Sequence, residues 1–99
     1  MADILLTFHC ATVDRDTVAD AIRSAARAPI HTRKEFVRGR DFSDARITEQ
    51  VTGQLERSAV ELIVGESELA QVVEAVAEAR RRLPVRWSAI PVVDHGRIG

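Results

Sequence analysis

The sequence predicts an α+β domain of two layers, in which a four-stranded antiparallel sheet carries two helices on one face. Two observations lead to this class. Residues 3–10 and 54–64 alternate between apolar and polar side chains, as strands do, and two further segments carry apolar residues at helical spacing. A chain of 99 residues, 45% of them hydrophobic, is enough for one domain with one modest core. We therefore expect a single domain over residues 1–99.

The first and third strands are predicted from their apolar faces. In residues 3–10 the core face consists of Ile4, Leu6, Phe8 and Cys10. In residues 54–64 it consists of Val60, Leu62 and Val64. Leu5 makes the reverse face of the first strand partly apolar as well, which predicts that this strand is central or covered on both faces.

The first helix is predicted to begin at Asp14, a residue type favoured at the N-cap. Val13 and Val18 have the spacing of a hydrophobic staple, and Pro29 ends the helix. Its buried stripe is predicted to be Val18, Ala21, Ile22 and Ala25.

The second helix is predicted to follow an N-cap at Ser67 and to end before Pro84. Acidic residues near its start and the arginines at 80–82 complement the helix dipole. Its buried stripe is predicted to be Leu69, Val72, Val73, Val76 and Leu83.

Residues 30–40 and 85–93 predict the two edge strands. The first is polar and charged, which discourages pairing with another sheet, and the second contains Pro91, which removes a backbone donor. The resulting order, strand-helix-strand-strand-helix-strand, is the ferredoxin-like βαββαβ arrangement. Right-handed crossovers then give the sheet order 4-1-3-2.

Residues 40–53 show neither the alternation of a strand nor the apolar spacing of a helix, and they predict a long flexible loop between the second and third strands. A connection of this length in so small a domain is usually functional or disordered. We expect the loop to gain order from a partner, a ligand or a neighbouring subunit.

Composition excludes several functions. Fourteen basic and 15 acidic residues nearly balance, so nucleic acid is not an expected partner. No apolar run approaches the roughly 20 residues of a membrane span, and the first residues do not resemble a signal peptide, so we expect a cytoplasmic protein without membrane insertion. No nucleophile elbow, phosphate-binding loop or zinc-hydrolase motif occurs, so we do not expect an enzyme.

Two kinds of binding site are candidates. The histidines His9, His31 and His95 are the expected ligands of a transition-metal site completed between subunits. Against it, His9 and Cys10 are consecutive on a strand and point to opposite faces, and Cys10 fits a core position. The basic residues between 33 and 46 predict either an anion pocket or a solvated edge strand.

The segments "LLTFHC", "EQVTG" (residues 49–53) and "AIPV" (residues 89–92) occur in this order around the long loop. In order and spacing the chain resembles the PII-like superfamily of small regulators, and most closely an uncharacterised PII-like family often encoded beside heavy-metal efflux systems. The resemblance covers nearly the whole chain. It implies a homotrimer with inward-facing sheets, a signalling function, and a protein partner such as a metal-efflux transporter.

The resemblance also implies where ligands bind, namely at the base of the long loop between subunits. On that basis the ligand-binding or partner-binding residues are Gly39, Arg40, Phe42, Arg46, Gln50 and Gly53. The glycine-rich, lysine-containing turn of nucleotide-binding PII proteins is missing before the last strand, which argues against adenine nucleotides. The alternative function is that of a metal-ion or anion sensor.

Overall fold

The computed structural model describes residues 2–38, 54–80 and 84–99. In these ranges the chain forms four strands and two α-helices. They are β1 (Asp3–Ala11), α1 (Arg15–Ala25), β2 (His31–Arg38), β3 (Gln54–Gly65), α2 (Leu69–Ala79) and β4 (Arg86–Val92). A short 3-10 turn precedes each helix, at Thr12–Asp14 and at Glu66–Glu68.

The strands form one antiparallel sheet in the order β2-β3-β1-β4. This is the predicted order 4-1-3-2 counted from the other edge, so the ferredoxin-like arrangement is confirmed. The polar β2 and the proline-containing β4 are the edges, as their compositions predict. Pro91 lies opposite Ile4 and pairs with β1 alone.

The two faces of the sheet differ because side chains alternate along each strand. The side chains of Ile4, Leu6 and Phe8 point towards the helices. We call the other side the open face. It consists of Leu5, Thr7, His9, His31, Arg33, Glu35, Val37, Leu55, Arg57, Ala59, Glu61, Ile63, Arg86, Ser88, Ile90 and Val92.

The core lies between the sheet and the helices. Each helix buries two valine or isoleucine side chains, Val18 and Ile22 from α1 and Val72 and Val76 from α2. From the sheet they meet Ile4, Leu6, Phe8, Cys10, Val60, Leu62 and Val64. Because each fully buried side chain of this size contributes about 1.5–3 kcal/mol, these contacts hold the two layers together.

The start of α1 differs from the prediction. Asp14 lies in a 3-10 turn with φ −98° and ψ −4°, whereas an N-cap residue usually has extended backbone. Its side chain makes no capping hydrogen bond and is buried. Val13 is 77% exposed, so it forms no staple with the buried Val18. The helix does begin at Arg15, directly after Asp14, but the predicted cap bond and staple are absent because Asp14 has helical rather than extended backbone and Val13 faces water.

The start of α2 also differs. Ser67 lies inside the 3-10 turn rather than at the N-cap. Instead, the carboxylate of Glu68 accepts a hydrogen bond from the backbone N–H of Gly65, at 3.0 Å. The helix ends at Ala79, one residue before Arg80. Among the described residues, neither helix has the length and hydropathy needed to cross a membrane.

Candidate functional site

The three histidines lie at separate places. His9 is on the open face, where its Nδ1 contacts the carboxylate of Glu35. His31 begins β2 opposite Glu61, and Nε2 of His95 lies 2.9 Å from Oδ2 of Asp3. Within residues 2–38, 54–80 and 84–99, no three His, Cys, Asp or Glu side chains are grouped so that they could hold a metal ion. A metal site completed between subunits stays a prediction.

The ligand-binding or partner-binding residues implied by the resemblance lie outside the described residues. They are Gly39, Arg40, Phe42, Arg46, Gln50 and Gly53. The structure does give the strand ends that flank them, since Arg38 and Gln54 form the last pair between β2 and β3. Segment 39–53 is therefore attached to the sheet at this end.

A cavity of about 270 Å³ opens on the open face at the same end of the sheet. Three register pairs build it: Val37 with Leu55, Glu35 with Arg57, and His9 with Arg86. Pro84 completes the lining. The sheet thus brings residues from all four strands, or from the approach to a strand, around one opening.

The lining combines an apolar floor with ionisable groups. Leu55 is buried, and Arg57, next but one along β3, is only 8% exposed. Nη1 of Arg57 donates a hydrogen bond to the carbonyl of Glu56 at 2.7 Å, which helps to hold the guanidinium in place. Two arginines and one carboxylate leave one excess positive charge in the lining. Guanidinium groups bind carboxylates and phosphates through paired N–H donors, so the cavity suits a small anion.

A polar row crosses the open face beside the cavity. The Glu61 carboxylate accepts hydrogen bonds from Oγ1 of Thr7 at 3.2 Å and from Nη1 of Arg33 at 2.8 Å. The hydrogen bond from Arg33 holds the pKa of Glu61 below its usual value and raises the pKa of Arg33. Lys34, on the other side of β2, pairs with Glu56 at 3.1 Å. In the predicted basic segment, Arg33 and Lys34 are thus engaged by carboxylates of β3.

The opposite end of the open face is apolar. Leu5, Ile63 and Ile90 occupy one row across three strands, and Val92 follows on β4. Ile90 is 54% exposed. The open face therefore has an apolar end, a polar middle and a cavity lined by charged groups.

Cys10 is a core residue. Its thiol donates to the carbonyl of Ser58 at 3.7 Å and is 1% exposed. Burial, with smaller contributions from Asp14 and Glu35, raises the pKa of Cys10 to about 11. A thiol that stays protonated is a poor nucleophile and a poor metal ligand, which agrees with its predicted place in the core.

Arg57, Arg86 and Glu35 were not among the predicted site residues. One signal in the sequence points to Arg57, because it stands between Leu55 and Ala59 on one face of a strand. An arginine between apolar neighbours on a central strand is unusual, because arginine is rarely buried without a partner for its charge. The place of Arg86 beside His9 depends on the register between β1 and β4, which no local pattern specifies.

Many solved structures are similar in fold, and the following three are among them. A crystal structure of a DUF3240 family protein from Shewanella baltica OS155 matches with a TM-score of 0.80 at 15% identity, covering 100% of this chain and 99% of that one. A functionally unknown protein from Pediococcus pentosaceus ATCC 25745 matches with a TM-score of 0.66 at 14% identity, covering 99% of each chain.

The third is a Bacillus cereus protein related to NIF3. It matches with a TM-score of 0.74 at 13% identity over 97% of this chain, which corresponds to 26% of that protein. No curated protein matches the sequence. The family DUF3240, described as a protein of unknown function, matches residues 2–99. The chain therefore belongs to the DUF3240 family.

Proposed function

We propose that this chain is a non-enzymatic, PII-like regulatory protein of the cytoplasm. It forms a homotrimer, binds a small anion in the open-face cavity, and acts through residues 40–53 on a protein partner. The observation that carries the proposal is the position of the cavity, at the end of the sheet to which segment 39–53 is attached. The resemblance of the chain to regulators encoded beside heavy-metal efflux systems supports a membrane transporter of that kind as the partner.

The cavity supports a ligand-responsive function because it adjoins that segment along the chain. Val37 and Leu55 line the cavity, and each is two residues from the segment. A ligand shifts a conformational equilibrium only if it binds one state better than the other. Contacts at Val37 and Leu55 give a bound anion the means to favour one arrangement of residues 40–53.

The apolar end of the open face supports assembly. A two-layer domain leaves one sheet face uncovered, and exposed apolar patches on soluble proteins mark interaction sites. Ile90 is exposed, and the half-buried Leu5 and Ile63 extend the apolar surface beside it. Packing these patches together in a trimer with inward-facing sheets removes them from water.

Ligand binding is tested by thermal unfolding with bicarbonate, phosphate, acetate, adenine nucleotides, zinc, copper and nickel. A ligand at 100 times its dissociation constant adds about 2.7 kcal/mol to the stability of the protein. We expect an anion to raise the melting temperature of the wild type and to have a smaller effect on Arg86→Gln. Arg23→Gln, the same charge change on the exposed surface of α1, is the control. Equal shifts in both variants would place the ligand elsewhere.

The proposed action of residues 40–53 on a protein partner is tested by deleting residues 42–48. The deletion is expected to keep the fold and the oligomer, and to abolish co-purification with the transporter partner. If the deleted protein still retains the partner, residues 40–53 are not the contacting segment.

The alternative is a metal-ion or anion sensor. One observation favours a metal, namely that the imidazole of His9 and the carboxylate of Glu35 already lie together on the open face. Two such ligands form a metal site when a neighbouring subunit supplies one or two further ligands. A thermal shift with zinc or copper that His9→Gln abolishes, with no effect of deleting residues 42–48 on any partner, would favour the sensor.

A further inference from the structure

A second groove lies on the helix side of the sheet, away from the open face. It has a volume of about 590 Å³ and runs between α2 and the edge strand β4. Trp87 and Val73 line it, and the same two residues line a smaller adjoining cavity of about 120 Å³. Trp87 is 47% exposed, so part of a large aromatic residue faces water at the edge of the sheet.

The rim of this groove is acidic at the end near the start of α2. Glu66 and Glu74 are both exposed and both line the groove, while Leu69 and Val73 form its apolar floor. An apolar floor with two carboxylates beside it fits a segment that presents one apolar and one cationic side chain.

Residues 93–98 present that pair. Val93 and Ile98 are 103% and 105% exposed, and Arg97 precedes Ile98. Every residue of the segment is exposed. The segment contacts the rest of the domain through the side chain of His95, which lies against the carboxylate of Asp3. Asp3 lies on the same side of β1 as Leu5, which is the open face. The contact with Asp3 therefore holds the segment on the side of the sheet opposite the groove of its own chain.

We propose that residues 97–98 of one copy dock in the α2–β4 groove of a second copy. Ile98 packs on Trp87 and Val73, and Arg97 pairs with Glu74. The contact is heterologous, since the segment and the groove are different surfaces, and such contacts form closed rings when the rotation allows. The proposal is independent of the open-face cavity and its ligand.

Trp87 is the only tryptophan in the chain, so its fluorescence reports on the groove alone. In the wild type at micromolar concentration we expect a blue-shifted emission and weak quenching by acrylamide. Ile98→Ser is expected to shift the emission to the red and to increase quenching. Val13→Ser, the same kind of exchange at another exposed apolar residue, is the control and is expected to change neither.

Charge reversal then decides whether the docking segment comes from a second copy. Arg97→Glu alone and Glu74→Arg alone place like charges together, and each is expected to lose the blue shift. When the two variants are unfolded, mixed and refolded, each tail can meet an oppositely charged groove on the other protein. We expect the mixture to regain about two thirds of the wild-type blue shift, because a ring of three mixed subunits can join opposite charges at only two of its three contacts.

Two results would overturn the proposal. If Ile98→Ser leaves the emission and quenching of Trp87 at wild-type values, nothing from this segment covers the groove. If the refolded mixture behaves as the average of its two components, the segment does not dock on another copy. Circular dichroism of each variant confirms that the fold is retained in these comparisons.

Discussion

At the scale of single residues, two buried charged side chains and one half-buried one differ in how well they are hydrogen-bonded. Arg57 is anchored by a hydrogen bond to a neighbouring carbonyl, and Glu61 is held by Arg33 and Thr7. Asp14 is different, because it is 2% exposed and neither carboxylate oxygen has a hydrogen-bond partner. A buried carboxylate without partners costs stability. The Glu61 carboxylate is therefore well satisfied, whereas the Asp14 carboxylate destabilises the fold.

Replacing Asp14 by alanine tests this view of the residue. A true N-cap would cost about 1 kcal/mol when lost. Because Asp14 makes no cap bond, we expect Asp14→Ala to raise the free energy of unfolding, by up to about 1 kcal/mol, through relief of an unsatisfied group. Urea denaturation at neutral pH measures it. A fall of 1 kcal/mol or more would show that the side chain does cap α1 in solution.

The Glu61–Arg33 pair predicts a pH dependence. The folded-state pKa of Glu61 lies below its ordinary value of 4.5, so the pair stabilises the folded state above that pH. This contribution is lost as the pH falls from about 4.5 through the lowered pKa. We therefore expect wild type to exceed Glu61→Gln in stability at pH 7, with the difference shrinking towards pH 3.

Denaturation curves measured at several pH values check the Glu61 prediction. Glu78→Gln, on the exposed surface of α2, is the control and should track the wild type throughout. A difference between wild type and Glu61→Gln that stays constant from pH 7 to pH 3 would contradict the assigned pairing.

At the scale of elements, β1 organises the domain. It pairs with β3 on one side and with β4 on the other, and its core side chains meet both helices. Its sequence predicts this role, since Ile4, Leu6 and Phe8 share one face and Leu5 makes the other partly apolar. The helix starts were not predictable in the same way. Asp14 and Ser67 have the composition of caps, but each lies in a 3-10 turn.

Leu6→Ala tests the central role of β1. Leu6 is 0% exposed in the middle of the sheet, and truncating such a side chain typically costs about 2–5 kcal/mol. Val13→Ala, at a 77% exposed position, is expected to stay within about 0.5 kcal/mol of the wild type. Chemical denaturation of both variants measures the costs. Equal costs would mean that the core does not lie where the structure places it.

At the scale of the whole molecule, the open face carries the functional argument. Its alternation could be predicted from β1 and β3, because apolar residues at every second position specify which side meets the helices. The position of the cavity could not be predicted, because His9, Glu35 and Arg86 are distant along the chain and meet only through the register of all four strands. The residues implied by resemblance, such as Arg40 and Gln50, lie outside the described residues.

Assembly through the open face predicts the effect of Ile90→Asp. A charge at this 54% exposed position leaves the single domain folded but makes burial between copies costly. We expect light scattering to show a trimer for the wild type and a monomer for Ile90→Asp. Phe36→Asp, on the other side of the edge strand β2, is the control and should keep the trimer. A wild-type monomer at micromolar concentration would contradict the assembly.

The most direct test of the central claim is to observe the three histidines by NMR during ligand addition. His9 lines the cavity, while His31 and His95 lie elsewhere in the fold. The anion that stabilises the protein in the thermal screen is titrated into the wild type, and the imidazole resonances are followed. We predict that the His9 resonances shift in a saturable way and that those of His31 and His95 stay in place. Saturable binding that leaves His9 unchanged would contradict the account.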